Sequence, residues 1–247
     1  MQDVSPYSAL AVGYDVVMRH VAYDIWAAYI HELLAEHHGS ARSILELGCG
    51  TGSFALEMQP LGDYDYLATD GSPYMIEVAR RKAEQTGVSV RFEVAGFTGF
   101  RVAQPVDAVL LLYDGLNYLL EEEALRKLLQ GARAALRPGG LFLCDQSTLA
   151  NSLNNEGGFD DAGEQDGFAY VRRSSFDPET RLHTTTFELT LAGTPYHEQH
   201  VQRAYELAEL RPLIREAGFE VVAVYEGFTT HPVTETAERV QWVLRCA

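Results

Sequence analysis

Apolar residues along the chain follow two spacings, and these predict alternating helices and strands. From Tyr14 to His38 they recur every four positions, which predicts one amphipathic helix. Helical patterns also begin near Ser53, at Ser72 and at Glu121. Short apolar runs among them predict strands at 43–47, 64–70, 88–94, 106–112 and 141–145. Strands that alternate with helices are typical of a doubly wound α/β sheet with right-handed crossovers.

The pattern changes after Gln146. Residues 150–166 are polar and glycine-rich, which predicts a mobile loop. Apolar and polar positions then alternate with period two, and this predicts an antiparallel meander. The meander segments are 168–176, 181–193 and 195–205.

A helix up to Gly218 and two further strands complete the predicted fold. These strands, at 220–228 and 239–246, make the sheet seven-stranded and mostly parallel. We expect one continuous domain with three parts. They are an N-terminal helical cap (1–40), a core (41–147 and 205–247) and an antiparallel β insertion that forms a lid or an interface (148–204).

Composition narrows the possible functions. The 247 residues include 19 Lys and Arg against 35 Asp and Glu, so the net charge is 19 − 35 = −16, which disfavours a nucleic-acid partner. The chain shows no apolar run of the roughly 20 residues that cross a bilayer. Its three cysteines lie far apart and suit a reducing compartment. We therefore expect a cytoplasmic protein that does not span a membrane.

A glycine-rich loop follows the first predicted core strand. In ILELGCGTGSF, residues 44–54, Gly48, Gly50 and Gly52 alternate between a strand and a helix. In an open α/β sheet the ligand binds beyond the carboxyl ends of the strands, where this loop lies. Glycines let the backbone approach a ligand closely. The spacing therefore favours a bound ligand over an empty tight turn.

A dinucleotide is one candidate ligand for this loop. Its fingerprint is G-x-G-x-x-G with an acid about 20 residues further on that holds ribose hydroxyls. Asp70 meets the second condition, 20 positions after Gly50. However, Ser53 stands where the third glycine belongs, and Glu46 precedes Gly48 by two positions. A nicotinamide-dependent oxidoreductase is therefore disfavoured.

Three motifs together resemble those of the class I S-adenosylmethionine-dependent methyltransferases. They are ExGxGxG after the first strand, DGSPYMIEVARRKA after the second and LRPGGLFLCD at the fifth, and they cover residues 42–146 in order. The resemblance implies a Rossmann-like methyltransferase fold, S-adenosylmethionine as cofactor and methyl transfer as the activity.

The resemblance also assigns cofactor contacts. Gly48, Cys49 and Gly50 would form the bed for the methionine part, and Asp70 would accept hydrogen bonds from the ribose hydroxyls. Glu46 would order the loop through backbone amides. Met75 would pack near adenine or serve only as a core residue. Further contacts would come from Tyr7, Gly71, Leu112 and Tyr113, the last two through a carbonyl facing the cofactor's amino group.

One position departs from the family pattern. Many members carry an Asp after the third strand that binds the adenine amino group, whereas Gly96 stands there in FEVAGFTGF. Phe97 would offer a backbone amide and a ring edge instead. A non-catalytic protein that binds the cofactor or a partner is the alternative that this loss suggests.

The segment after the fourth strand bears on the acceptor. It reads LLYDGLNYL and lacks the [DNS]-P-P-[YFW] signature of many base-amine and protein-amide methyltransferases. The β insertion and a cap carrying Tyr7 and Tyr14 resemble the small-molecule N-methyltransferases that act on glycine and amino sugars. In that group these segments close over the acceptor. An oligomer interface is the alternative role for the insertion.

Six residues are candidates for the acceptor site: Tyr14, Tyr113, Asp114, Asn117, His200 and Arg203. Asp114 would act as a base or hold an ammonium group, unless it is only a turn residue. Asn117 would contact the acceptor or cap the next helix. Odd spacing on a strand predicts that at most one of His200 and Arg203 faces the site. We expect no metal, because no His, Cys or carboxylate cluster has ligand spacing.

The sequence therefore predicts methyl transfer from S-adenosylmethionine to a small-molecule acceptor. Nitrogen is favoured as the accepting atom over oxygen. An RNA-modifying methyltransferase is the alternative within the same chemistry. We expect a monomer or a homodimer.

Overall fold

A computed structural model describes residues 1–154 and 160–247 of the chain. Their strands form one sheet of seven and one of five. The strands are β1 Gln2–Asp3, β2 Ser43–Leu47, β3 Asp65–Asp70, β4 Arg91–Val94, β5 Val106–Leu111, β6 Leu136–Ser147, β7 Asp161–Gln165, β8 Phe168–Asp177, β9 Leu182–Leu191, β10 Thr194–Arg203, β11 Phe219–Glu226 and β12 Arg239–Cys246.

The larger sheet confirms the predicted doubly wound fold. Its strand order is β11-β12-β6-β5-β2-β3-β4, and only β12 runs antiparallel to its neighbours. All six residues of β5 are buried, as expected for a strand covered on both faces. The strand order reverses between β2 and β5, so the loops that follow these two strands diverge and leave a crevice.

Helices cover both faces of this sheet. The helices are α1 Tyr14–Val17, α2 Tyr23–His37, α3 Ser53–Gly62, α4 Pro73–Thr86, α5 Glu122–Ala135, α6 Leu149–Asn154 and α7 Leu207–Glu216, with short 3₁₀ turns at Leu10–Gly13 and Gly115–Tyr118. Leu45 and Leu47 of β2 belong to the core under α5 and α7. Ile44 belongs to the core under α2, α3 and α4. Alternate side chains of one strand thus build two cores.

The prediction of a single helix from Tyr14 to His38 is wrong. The chain forms α1 and α2 with a break at residues 18–22. Val17 and Met18 pack against the smaller sheet, whereas Trp26 and Ile30 pack on the larger one. The two helices pack into different hydrophobic cores, and this tertiary packing outweighs the continuous periodicity of the sequence.

Three other expectations on element bounds are corrected. The strand predicted at 88–94 begins only at Arg91. The strand predicted at 141–145 extends over Leu136–Ser147, where Gly139 takes a φ of +79° and the pairing with β5 shifts register. The loop predicted at 150–166 contains the end of α6 and all of β7. Residues 155–159 of that loop lie outside the described residues.

The smaller sheet has the order β1-β10-β9-β8-β7. Strands β7 to β10 are the predicted antiparallel insertion, and β1 from the N-terminus pairs with β10 in parallel. Leu10 and Val17 from the N-terminal segment pack against Phe168, Phe187 and other apolar residues of this sheet. The segment at residues 5–18, called the N-terminal segment, therefore packs against the smaller sheet. No helix in the described part of the chain is long and apolar enough to cross a membrane.

A buried carboxylate ties the start of β2 to β5. Asp107 accepts hydrogen bonds from the Arg42 and Ser43 amides, each at 2.9 Å, and pairs with Arg137 at 2.5 Å. Burial alone would raise the pKa of Asp107, but these donors outweigh it and lower the pKa. A carboxyl whose pKa is lowered on folding stabilises the protein above its unfolded pKa of about 3.9, and this contribution fades as pH falls through the folded pKa.

Asp107→Asn should therefore lower the free energy of unfolding at neutral pH by about 1–3 kcal/mol. The difference from wild type should shrink in acid, as measured by denaturant unfolding at several pH values. Asp65→Asn is the control, because Asp65 forms only an exposed pair with Arg91. Equal stability of the Asp107 variant and wild type at neutral pH would contradict this account.

Candidate active site

Two cavities meet at a cluster of tyrosines. One, of about 480 Å³, lies at the carboxyl ends of β2 and β3 and is called the glycine-loop cavity. The other, of about 240 Å³, lies between the N-terminal segment, the end of β5 and the smaller sheet, and is called the meander cavity. Four residues line both cavities and are called the tyrosine junction: Tyr7, Tyr14, Tyr113 and Tyr118.

The three glycines of the glycine loop have left-handed backbone conformations. Gly48, Gly50 and Gly52 have φ values of +70°, +55° and +77°, which other residues rarely adopt. A Cβ atom on Gly48 would lie 2.7 Å from the Phe97 ring. A Cβ on Gly50 would meet only the Tyr14 ring, at 3.7 Å, so this glycine keeps the loop surface open toward the cavity.

Asp70 fastens this loop to the end of β3. Its carboxylate accepts hydrogen bonds from the Gly50 amide at 2.9 Å and from the Ser72 amide at 2.8 Å. Burial raises the pKa of Asp70, although both amides oppose the change. Each carboxylate oxygen has a second lone pair, so the group can also accept from ligand hydroxyls.

The glycine-loop cavity fits S-adenosylmethionine. Of the predicted cofactor contacts, ten line it: Tyr7, Gly48, Gly50, Asp70, Gly71, Met75, Gly96, Phe97, Leu112 and Tyr113. Met75 is 1% exposed, so it belongs to the core and to the cavity wall at once. No atom lies within 4 Å of a Cβ built on Gly96, so the space of the missing Asp is open.

Glu46 and Cys49 lie on the other side of the loop, outside the glycine-loop cavity. They border a separate space of about 40 Å³. The carboxylate of Glu46 accepts a hydrogen bond from the Tyr66 hydroxyl at 2.9 Å, so the predicted role of ordering the loop through backbone amides is corrected. Burial raises the pKa of Glu46 to about 8 and holds the pKa of the Cys49 thiol well above its usual range. A thiol that stays protonated is a poor nucleophile.

The meander cavity holds an ionic cluster that the sequence did not reveal. Arg239 of β12 lies 2.7 Å from Asp114 and also pairs with Asp145, which is 1% exposed. Burial raises the pKa of Asp145 to about 7, against the opposing effect of Arg239. Asp114 is therefore more than a turn residue, because it shares one guanidinium with a second carboxylate at the cavity wall.

Asn117 and Arg203 line the meander cavity. The side-chain amide of Asn117 is engaged, whereas Nε of Arg203 has no hydrogen-bond partner among the described residues. The Asn117 amide donates to the Ser147 and Arg203 carbonyls and accepts from the Ser147 amide, so it neither caps a helix nor is free for a ligand. Arg203 donates to the Leu120 carbonyl. Both His200 and Arg203 border the cavity, although their odd spacing on a strand predicted that at most one of them would face it. Arg203 is the last residue of β10 and lies at the rim of the cavity.

Backbone strain is concentrated at the tyrosine junction. Tyr7, Tyr113 and Asp114 have φ values of +60°, +61° and +62°. Such conformations cost about 1–3 kcal/mol each in residues with side chains and persist where surrounding contacts impose them. Burial raises the pKa of Tyr113 to about 12 and that of Tyr14 well above its usual value, so these phenols stay neutral at physiological pH.

Three residues of the site were missed in the sequence: Tyr118, Glu198 and Arg239. Glu198 and His200 are two positions apart on β10 and so share a face, a signal that was available. Nothing in the sequence pairs Arg239 with Asp114, 125 positions earlier. Among the described residues, no group of three or more His, Cys, Asp or Glu is placed to hold a metal ion.

Comparison with known proteins agrees with this geometry. A family model described as a methyltransferase domain matches residues 44–140. The putative methyltransferase GWCH70_2453 of Geobacillus sp. strain WCH70 is 30% identical over 253 residues, which cover 97% of this chain and 99% of the relative.

Solved structures share the fold. An S-adenosylmethionine-dependent methyltransferase from Clostridium acetobutylicum superposes with a TM-score of 0.82 at 21% identity, covering 97% of this chain and 98% of that one. An amino pentose methyltransferase from Micromonospora echinaspora gives a TM-score of 0.73 at 20% identity, with 95% and 96% covered.

Asp70→Ala should weaken the binding of S-adenosylhomocysteine, measured by calorimetric titration. Loss of buried hydrogen bonds costs about 1–3 kcal/mol, which corresponds to a roughly 5- to 150-fold higher Kd. Asp65→Ala, at the exposed start of the same strand, is the control. An unchanged Kd for the Asp70 variant would refute its assignment as a ribose contact.

Gly50→Val should abolish this binding while the protein remains folded. The matched control is Gly87→Val, because Gly87 has a similar φ of +73° at the end of α4 and lies away from both cavities. Both variants carry the backbone strain, but only the first places a side chain in the glycine-loop cavity. Circular dichroism checks the fold, and retained affinity in the Gly50 variant would show that the loop does not face the ligand.

Proposed function

Because this chain belongs to the S-adenosylmethionine-dependent methyltransferases, we propose that it methylates a nitrogen atom of a small-molecule acceptor bound in the meander cavity. The observation that carries this proposal is the tyrosine junction, where four side chains line both cavities. A group transferred from one cavity to the other must pass this point. In this proposal the strands β7 to β10 of the insertion, together with the N-terminal segment, act as the lid over the acceptor.

S-adenosylmethionine supplies an electrophilic methyl group on a sulfonium sulfur. Gly48, Gly50 and Asp70 would hold it in the glycine-loop cavity, with Met75 and Phe97 in the same wall. The protein's main task is then to align the acceptor and exclude water, since orientation alone can supply roughly 7–11 kcal/mol. The apolar contacts of Leu10 and Val17 with the smaller sheet would hold the N-terminal segment over the junction.

The size and charge of the site favour a small molecule. The meander cavity measures about 240 Å³, and the whole chain carries a net charge of −16. A polyanionic RNA strand would be repelled by such a surface. These two properties support a compact acceptor over the RNA alternative.

Charge at the cavity wall favours nitrogen over oxygen. Asp114 and Asp145 share the single guanidinium of Arg239, and Asp114 lines the meander cavity beside Tyr113. Asp114 is the carboxylate in the lining of this cavity, and a carboxylate attracts an ammonium group. An amino pentose, the acceptor named for one methyltransferase of this fold, carries an amino group. A hydroxyl acceptor is the second candidate, because tyrosine hydroxyls can also hydrogen-bond to an alcohol.

Incubation with S-adenosylmethionine bearing a deuterated methyl group should label an amine in preference to a hydroxyl compound. A panel of glycine, sarcosine, glucosamine and catechol, with a short RNA added, tests these classes when it is followed by mass spectrometry. The Gly50→Val variant controls for background transfer. Labelling of catechol alone would contradict the choice of nitrogen, and labelling of a short RNA alone would contradict a small-molecule acceptor.

A further inference from the structure

A fully buried carboxylate lies behind the tyrosine junction. Glu198 of β10 is 0% exposed. It accepts hydrogen bonds from the backbone amides of Tyr7, Ala9 and Leu10 at 2.8, 2.6 and 2.9 Å. It also lies 3.2 Å from Nε2 of His200. These groups all donate to Glu198, and a carboxylate without a proton only accepts hydrogen bonds.

In a neutral His200 ring, this contact determines which nitrogen carries the proton. Since the Glu198 carboxylate accepts, Nε2 of His200 must donate, and the neutral ring then has its lone pair on Nδ1. Nδ1 lies 3.2 Å from the hydroxyl of Tyr118. The Tyr118 hydroxyl is therefore the donor in this second bond.

The same reasoning determines which hydroxyl donates in the hydrogen bond at the tyrosine junction. A hydroxyl has one proton to donate, and Tyr118 gives it to His200, so the Tyr7 hydroxyl must donate across the 2.5 Å contact between the two phenols. The Tyr7 ring also packs against the His200 ring, with centroids 4.6 Å apart. A chain of aligned hydrogen bonds thus runs from Tyr7 through Tyr118 to His200 and Glu198.

We propose that His200 accepts, through the hydroxyls of Tyr118 and Tyr7, the proton that the acceptor's nucleophilic atom releases in the meander cavity. This inference rests on the proposed function, since an ammonium or hydroxyl group must lose a proton before it can act as a nucleophile. The N–H or O–H bond of the acceptor breaks, and its electron pair becomes the nucleophile's lone pair. One proton moves onto Tyr7 or Tyr118 as that hydroxyl passes its own proton along the chain. The transferred charge ends on Nδ1 of His200.

The tyrosines serve as a relay because they cannot keep a negative charge. Burial, then the neighbouring phenol, raises the pKa of Tyr7 well above its usual value. Burial also raises the pKa of Tyr118 above its usual value, against the hydrogen bond from Tyr7. His200 is the group at the end of the chain that can take a positive charge, and Glu198 lies beside it to balance that charge.

Nuclear magnetic resonance tests the tautomer without any acceptor. Protein labelled with ¹⁵N-histidine and saturated with S-adenosylhomocysteine should show His200 neutral, with its proton on Nε2. The His200→Gln spectrum identifies the resonance, and His197→Gln, at the exposed pair with Asp3, is the assignment control. A proton on Nδ1, or a charged ring at neutral pH, would overturn the relay.

Kinetics test the path. On whichever of glycine, sarcosine, glucosamine or catechol is methylated, His200→Gln and Tyr118→Phe should each lower kcat by about 100-fold or more, with a smaller effect on KM. The double variant should be no slower than the worse single one, because both residues act in one chain. Multiplied effects, or a loss confined to KM, would contradict the proposal. Absence of turnover on all four compounds counts against the proposed function, and the tautomer then decides the relay alone.

Discussion

The buried carboxylate of Glu198 joins the three parts of the molecule that form the site. It lies on the insertion, binds the amides of the N-terminal segment and contacts His200, which in turn contacts Tyr118 after β5. An unpaired charge at this depth would be costly, so the folded state requires all these donors to be in place. Segments about 190 positions apart in the chain are thereby held in one arrangement.

The larger sheet provides the second constraint. Because the strand order reverses between β2 and β5, the glycine loop and the segment that begins at Leu112 border the same crevice. Asp70 ends the neighbouring strand β3, Ser72 follows it, and both line the glycine-loop cavity. The N-terminal segment, held by Glu198 and by a hydrogen bond from Ser72 to the Tyr7 carbonyl, divides this crevice from the meander cavity. The methyltransferase activity of the family fits this arrangement, since it needs two ligands in contact and little water between them.

The sequence predicted the parts of the site that depend on local chemistry. Gly50 and Asp70 were predicted as cofactor contacts because positive φ and a carboxylate at the end of a strand leave a pattern within about 20 residues, and in the structure a hydrogen bond joins the two. The seven-stranded sheet and the meander were found because each strand carries its own periodicity. The role of Glu46 was misassigned, because the partner that determines it, Tyr66, lies on the neighbouring strand.

The rest of the site could not be predicted in this way, because it consists of pairs that only folding brings together. The ion pair of Arg239 with Asp114 and the contact of Tyr118 with His200 join distant segments and follow no spacing rule. The break between α1 and α2 has the same origin. The two helices pack on different sheets, and the periodic pattern of a segment does not reveal which sheet the segment packs on.

The structure of the protein with S-adenosylhomocysteine bound tests the central claim most directly, namely that methyl transfer occurs across the tyrosine junction. The account predicts the ribose hydroxyls at Asp70 and the sulfur atom beside Tyr7, Tyr14 and Tyr113, facing the meander cavity. A sulfur atom turned away from this junction, or a ligand outside the glycine-loop cavity, would contradict it.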